Sequence, residues 1–321
     1  MIFSTHPLHP EVTADLQALG DYRVASSPTA QAITEECAGA EIIVVRAPIP
    51  LGIATREANL RALIRHGAGL DMIQVDEATA AGVLVANVPG ANAVTVAEHA
   101  IWSAMALLRR NPQVTRDLHA NGWAAARAHS DHGRELSGRT LGIVGFGNIG
   151  RTLARIAQHG FAMPVLVHTR SPVTEAGVEA VSLPDLLTRA DIVVLCAPLT
   201  DQTRGLIDAA ALARMKPGAI LVNVARGPLV LEDALIRALA SGHLGGAALD
   251  VFDTQPLPPD HPLMHLPNVI LTPHMAGITE ESMLRMGQGV VAEARLVLKG
   301  DPPVNLCNPD VLPLYRKRFP G

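Results

Sequence analysis

Cysteine is scarce in this chain of 321 residues, and the little there is lies scattered. Cys37, Cys196 and Cys307 are odd in number and widely spaced, which argues against a disulfide framework and fits a reducing compartment. Cys196, inside an apolar strand pattern, reads as core. Charge is also thin: charged residues make up 17% against 48% hydrophobic, so there is ample apolar surface to bury and no sign of a disordered class. The net charge is −4 and no basic block stands out, which argues against nucleic-acid binding by phosphate neutralisation. No apolar run approaches about 18 residues, so no membrane span is expected. The opening MIFSTHPLHP has no charged region ahead of an apolar one, so no secretory leader is expected either, and the expected compartment is the cytoplasm. Metal ligands are missing too. His6 with His9 and His129 with His132 have metal-like spacing, but no Cys or acidic partner completes a set, so no metal is expected.

What the chain does have is a glycine fingerprint in its middle. Residues 141–150 read LGIVGFGNIG: a four-residue apolar run, then GxGxxG at Gly145, Gly147 and Gly150, then a helical pattern with Ile149, Leu153, Ile156 and Ala157 on one face. Strand, tight turn and helix follow one another as a dinucleotide fingerprint requires. Gly145 can take the positive φ of the turn, Gly147 lets backbone N–H groups approach a pyrophosphate, and Gly150 lets helix and strand pack closely. The positive end of the helix would then face the phosphates.

At this length two domains are expected. From residue 1 to about 87, short apolar runs (2–3, 41–45, 63–64 and 83–86) alternate with helical segments such as 12–19, which reads as a parallel α/β unit. Loops leaving the carboxyl ends of its strands include Arg46-Ala47-Pro48 and His66-Gly67-Ala68-Gly69. A long apolar helix from about 92 to 110 is expected to cross between domains. The Ala-rich stretch 120–129, punctuated by Asn121-Gly122 and His132-Gly133, is expected to be loop and short helix. Strand candidates then recur at 141–144, 165–167, 192–195, 220–224, 247–249 and 269–271, the rhythm of a doubly wound sheet. A last helix, 280–298, precedes a Pro-rich tail.

Seven motifs in one order carry a family resemblance: HGAGLDMIQVD (66–76), NVPGANAVTVAEHA (87–100), GFGNIG (145–150), LCAPLTDQTRGLI (195–207), NVARGPLV (223–230), ALDVF (248–252) and LTPHMAG (271–277). Over residues 46–298 the chain resembles the D-isomer-specific 2-hydroxyacid dehydrogenases, including their glyoxylate and hydroxypyruvate reductases. The fold this implies is α/β, with two Rossmann-like doubly wound parallel-sheet domains. The substrate domain would be discontinuous, residues 1–97 and 275–321, and the dinucleotide domain would be 98–274. The resemblance further implies a homodimer built through the helical region after Asn92, and domain closure about hinges near Ala97 and Ala276-Gly277.

The catalytic residues implied are Arg226, Gln255 and His274. Reducing a 2-oxo acid needs a cation to hold the carboxylate and polarise the carbonyl, and an acid that donates a proton as hydride arrives. Arg226 suits the first task and His274 the second, because His exchanges protons near neutral pH. The substrate would also meet Arg46, Ala68 and Gly69, the glycine-bearing loop offering backbone N–H groups to a carboxylate. For the cofactor the matching positions are Gly145, Gly147, Asn148 and Ile149 at the fingerprint, and Thr169, Arg170 and Ser171 after the next strand. Further along they are Ala197, Pro198 and Thr203, then Val224, Ala225, Asp250 and Gly277.

Two departures from the family pattern matter. Where the family has Glu in a segment resembling DVFxxEP, this chain reads Asp250-Val251-Phe252-Asp253-Thr254-Gln255-Pro256. A neutral amide can fix the imidazole tautomer but adds no charge to hold a proton on it. Formate dehydrogenases also pair Gln with His, so formate stays an alternative, as does a nucleotide-sensing interaction protein like the corepressors that resemble this family. The second departure is Thr169, at the place about 20 residues past the glycines where an acid would hold a ribose 2′-hydroxyl. With Arg170 and two hydroxyls beside it, NADP(H) is the expected cofactor, with NAD(H) possible. Ala47 and Pro48 beside Arg46 offer no hydroxyl donors, which argues against a phosphorylated substrate.

Overall fold

The computed structural model describes residues 1–320. They form two compact units, one of residues Met1–Asn92 together with the segment from Ile278 onward, the other of Ala93–Gly277. In the first unit β1 (Ile2–Ser4), α1 (Pro10–Leu19), β2 (Tyr22–Val24), α2 (Ala30–Glu36), β3 (Ile42–Val45), α3 (Ile53–Arg56), β4 (Ala62–Arg65), α4 (Val75–Ala80) and β5 (Leu84–Ala86) follow in turn. The five strands are parallel in the order β2-β1-β3-β4-β5. Strand β3 is IIVV with every residue buried, as expected of a strand covered on both faces. The edge strand β2 carries no such signal. Its sequence, Tyr-Arg-Val, is partly exposed, so neither alternation nor an apolar run marks it.

The second unit opens with α5 (Ala93–Leu108) and α6 (Asn111–Ala128). Its sheet is built from β6 (Leu141–Val144), α7 (Asn148–Phe161), β7 (Val165–His168), β8 (Val178–Ala180), α8 (Leu183–Arg189), β9 (Ile192–Leu195), α9 (Ala209–Arg214), β10 (Ile220–Asn223), α10 (Glu232–Ala240), β11 (Gly246–Leu249) and β12 (Val269–Leu271). All seven strands are parallel, in the order β12-β11-β10-β9-β6-β7-β8. Strand order reverses beside β6, the switch point at which such sheets open toward a ligand. The chain then returns to the first unit with α11 (Glu280–Leu298) and α12 (Leu312–Arg318). Helix α11 lies so close on α1 that a Cβ at Gly287 would meet Val12 Cγ2 at 2.3 Å. The Pro-rich tail is pinned as well: the buried Asn308 accepts from the Val85 amide (2.8 Å), and the Glu293 carboxylate accepts from the Val304 and Asn305 amides (2.7 and 3.1 Å).

Three expectations need correction. Helix α5 does not cross between domains. It belongs wholly to the second unit, where its apolar face packs on α7, β10 and β11, so the division falls before Ala93 rather than at 97. The second division falls after Gly277, a few residues beyond the expected 274. Finally, the stretch expected as loop and short helix is helical to Ala128, as two helices that meet at a kink at Gly122 (φ 78°). Glycine supplies the kink at no steric cost, while the Ala-rich flank that follows keeps helix propensity high.

One buried group ties the stability of the first unit to pH. His66 is 3% exposed and its Nε2 has no hydrogen-bond partner among the described residues. Burial first, then the guanidinium charges of Arg46 and Arg65, push its pKa down from 6.5 to about 4. The folded state therefore binds this proton less readily than the unfolded chain. Above pH about 6.5 the group costs nothing; as pH falls toward 4 it destabilises, by on the order of 3 kcal/mol at completion. Urea midpoints measured at neutral and acid pH should show a smaller acid loss for His66→Gln than for wild type; equal losses would remove His66 from the account.

Candidate active site

Every residue that the sequence assigns to the cofactor, apart from Gly277, follows the carboxyl end of a strand in the second sheet or opens the helix after it. This is where a parallel sheet presents its loops. Gly145 (φ 93°) makes the turn after β6, and a Cβ there would meet the Ala197 amide nitrogen at 2.6 Å, so the loops after β6 and β9 touch backbone to backbone. Gly150 lies in α7 against that turn; a Cβ would meet the Gly145 carbonyl oxygen at 2.4 Å. Gly147 differs. It caps α7 just ahead of Asn148 and Ile149, and a Cβ built on it meets nothing within 4 Å. No protein contact demands glycine here, and the open space lies at the positive end of a 14-residue helix, which fits the pyrophosphate of a dinucleotide.

After β7, Thr169 accepts from the Ser171 amide (3.3 Å) and the exposed Arg170 reaches Gln202 Oε1 at 3.5 Å. After β9, the Thr203 hydroxyl donates to the Pro198 carbonyl (2.7 Å) and accepts from the Thr200 amide (2.8 Å), which fixes that loop.

The turn after β10 holds Val224, Ala225 and Arg226. It is shaped by Asn223, 1% exposed, whose side chain accepts from the Ala225 amide (3.1 Å) and donates to the Arg226 carbonyl (2.9 Å). Arg226 itself donates to the Ala225 carbonyl (2.7 Å). Gly227 then passes so close to the loop after β11 that a Cβ would lie 2.1 Å from the Phe252 carbonyl carbon. The loop bearing Arg226 and the loop bearing Gln255 are thus in backbone contact.

His274 sits on the loop after β12 and faces Gln255, with Nδ1 3.1 Å from Gln255 Oε1. The amide nitrogen of Gln255 points to the Phe252 carbonyl (3.5 Å), which leaves its oxygen toward the imidazole. His274 is one of three non-glycine residues at positive φ among the described residues (55°), and Asp250 explains how it is held there. The Asp250 carbonyl accepts from the His274 amide (2.9 Å). Its carboxylate, 3% exposed, accepts from the Met275 amide (2.8 Å) and the Thr272 hydroxyl (2.6 Å) on one oxygen and from the Ala276 amide (2.9 Å) on the other. Consecutive amides converge on one carboxylate because the backbone turns left-handed at His274. Asp250, expected at the cofactor, is therefore also the anchor of the His274 loop. Asp253 has its carboxyl pushed up by burial and by Asp233, with Arg204 opposing.

The residues expected at the substrate lie in the first unit. Arg46 follows β3 and donates to the Pro7 carbonyl at 2.5 Å. Ala68 and Gly69 follow β4 in a loop tied by its carbonyls: Asn87 donates to Ala68 (2.8 Å), and Arg65 donates to Gly69 (3.1 Å), His66 (2.7 Å) and Val45 (2.9 Å). Sequence reasoning missed Arg65, Asn223, Gly227 and Thr272. Each sits inside or beside a motif, yet its partner is elsewhere in the chain or on the backbone, and only Gly227 left a mark, as a glycine directly after the arginine.

Comparison with known proteins shows the family. Residues 101–276 match the family model described as D-isomer specific 2-hydroxyacid dehydrogenase, NAD binding domain. A glyoxylate reductase from Korarchaeum cryptofilum is 38% identical over 301 residues, 92% of this chain and 90% of that protein. A D-3-phosphoglycerate dehydrogenase from Methanocaldococcus jannaschii is 36% identical over 319 residues, 97% of this chain but 60% of its own length, so the chain spans about three fifths of that relative. Among solved structures, an NADPH-dependent glyoxylate/hydroxypyruvate reductase from Sinorhizobium meliloti in complex with citrate superposes with a TM-score of 0.85 at 28% identity, covering 96% of this chain and 98% of that one.

The contact at Gly227 makes a test that needs no ligand structure. Gly227→Ala forces the Arg226 and Gln255 loops apart, and misplacing reacting groups by about 1 Å costs on the order of 100-fold in rate. A loss of at least that size in kcat/KM, measured well below the variant's own lowered unfolding temperature, is expected, since the buried backbone must shift to admit the methyl group; full activity would mean that the two loops do not act together.

Proposed function

Because the chain belongs to the D-isomer specific 2-hydroxyacid dehydrogenase family, we propose that it transfers a hydride between a nicotinamide dinucleotide and a small 2-oxo or 2-hydroxy acid such as glyoxylate or hydroxypyruvate. The observation that carries this reading is the His274 and Gln255 pair. An amide oxygen can only accept, so Nδ1 keeps the imidazole proton and proton exchange falls to Nε2. Arg226 binds the substrate carboxylate and polarises its carbonyl. The bound nicotinamide supplies the hydride. His274 delivers the proton to the carbonyl oxygen, and the product is the alcohol; oxidation runs the same steps backwards. In the first unit, Arg46 and the Ala68-Gly69 loop are the further residues proposed to bind the small acid. The dinucleotide is held by the fingerprint glycines with Asn148 and Ile149, and by the loops bearing Ala197, Pro198, Thr203, Val224, Ala225, Asp250 and Gly277.

The preferred cofactor is NADP(H). Thr169 puts no carboxylate where a 2′-phosphate would sit, and Arg170 with the Thr169 and Ser171 hydroxyls suits that phosphate. The enzyme works as a homodimer through α5 and α6, on which Trp102, Met105, Leu118 and Trp123 are exposed large apolar side chains. The three cysteines are unpaired, in keeping with a reducing cytoplasm, and no described helix is long and apolar enough to cross a membrane.

A second reading, oxidation of a phosphorylated hydroxy acid, draws on the phosphoglycerate dehydrogenase relatives. Against it stand Ala47, buried, and Pro48, which give Arg46 no hydroxyl partners for a phosphate. A panel of 2-oxo acids, including the phosphorylated one and with formate tested in the oxidative direction, assayed with each cofactor, decides. Turnover of glyoxylate or hydroxypyruvate with kcat/KM clearly higher for NADPH is expected, and Arg170→Ala should weaken NADPH more than NADH. No turnover of any 2-oxo acid would sink the enzyme reading; preference for the phosphorylated acid would replace the substrate.

The pH profile tests the proton's path. A carboxylate at position 255 would stabilise imidazolium, so in Gln255→Glu the proton donor persists to higher pH. The alkaline limb of kcat/KM for reduction should move up by about one pH unit, corresponding to roughly 1.4 kcal/mol between protonation states. An unmoved limb would separate Gln255 from the proton that is transferred.

A further inference from the structure

The anchor of the His274 loop has an outer member on α5. The imidazole Nε2 of His99 lies 3.4 Å from the Thr272 hydroxyl, across 173 residues of sequence, and that hydroxyl lies 2.6 Å from Asp250 Oδ1. A threonine hydroxyl has one proton to give. At 2.6 Å from a carboxylate the hydroxyl donates that proton to Asp250, so it can meet His99 only by accepting, and His99 must carry its proton on Nε2. The other tautomer, with Nε2 bare, would offer the hydroxyl a second acceptor and let it turn away from Asp250. Burial holds the His99 pKa below its usual value, with the Asp250 charge opposing, so the ring is neutral near pH 7 and its tautomer matters. Trp102, one turn on along α5, lies against the ring at 5.4 Å between centroids.

We propose that His99 is a positioning residue for the reaction: by donating from Nε2 to Thr272 it keeps the Thr272 hydroxyl donating to Asp250, and so holds the carboxylate that sets the left-handed turn at His274. His99 acts through Thr272 and Asp250. The role rests on the reading of His274 as the proton donor, whereas the effect on the loop does not. The proposal therefore has a readout that needs no substrate. Met275 and Ala276 amides bonded to Asp250 are protected from hydrogen exchange to the extent that the loop stays closed.

Three variants test it. His99→Leu removes the donor, His99→Gln puts an amide N–H near the place of Nε2, and Thr272→Val removes the bridging hydroxyl at nearly constant size. In cofactor-free protein, His99→Leu should speed exchange of the 275 and 276 amides about tenfold while leaving β12 unchanged, and His99→Gln should stay within about twofold of wild type. In the assay, His99→Leu should lower kcat about tenfold with KM for the 2-oxo acid little changed, and His99→Gln should restore it. Adding His99→Leu to Thr272→Val should cost nothing further, because both break one chain of contacts. Unchanged exchange and kcat in His99→Leu, equal damage in His99→Gln, or additive damage in the double variant would each overturn the proposal. If wild type turns over no 2-oxo acid, the functional reading fails while the exchange measurements still decide the role of His99.

Discussion

The carboxylate of Asp250 is the constraint on which the site depends. A buried charge without partners costs several kcal/mol. Here it is met by two amides and a hydroxyl from residues 272–276, while the Asp250 carbonyl takes the amide of His274. Hydrogen bonds to a charged acceptor are worth about 1.5–3 kcal/mol each. A left-handed non-glycine residue costs roughly 1–2 kcal/mol, so the carboxylate wins and His274 is held at φ 55°. The loop that presents the imidazole is thus fixed by electrostatics rather than by packing, in keeping with its exposed position.

That anchor works only because the sheet delivers its loops in register. Strands β10, β11 and β12 pair in parallel, with Asn223 beside Leu249 and Leu249 beside Leu271, so the turns that follow begin side by side. Glycine then lets the turns touch. Gly145 brings the first loop onto Ala197, and Gly227 brings the Arg226 loop onto the backbone of Phe252 and Asp253. In each case a single methyl group would occupy space already filled by backbone atoms. Of the three fingerprint glycines, Gly147 faces open space, at the helix end where a phosphate would need it.

Much of this was legible in the chain. The buried strands of both sheets are near-continuous apolar runs, and six of the seven strands of the second sheet lie where those runs are. Strands β2 and β8 escaped because they are partly exposed edges with Arg or Glu inside them, and period two is not visible in three residues. The helical stretch after Leu108 reads as loop because the glycine that looks like a loop in sequence is the joint between two helices, the second of which follows at once. At the site, His274 and Gln255 stood out as a motif and its one altered residue. Asn223, Thr272 and His99 did not: Asn223 acts on the backbone of the turn that follows it, which no residue pattern announces, and His99 and Thr272 are brought together by folding across 173 positions. The domain divisions shifted for the same reason, as an apolar helix does not say in advance which core will bury it.

The central claim is that a 2-oxo acid is reduced to the D alcohol, hydride adding to one face of the carbonyl carbon while His274 delivers the proton to the carbonyl oxygen. Reduction of hydroxypyruvate with NADPH carrying deuterium at both C4 positions of the nicotinamide tests it most directly. The account predicts glycerate of the D configuration with deuterium at C2, formed by wild type and lost in His274→Asn. Unlabelled product, the L isomer, or full activity without the imidazole would contradict it.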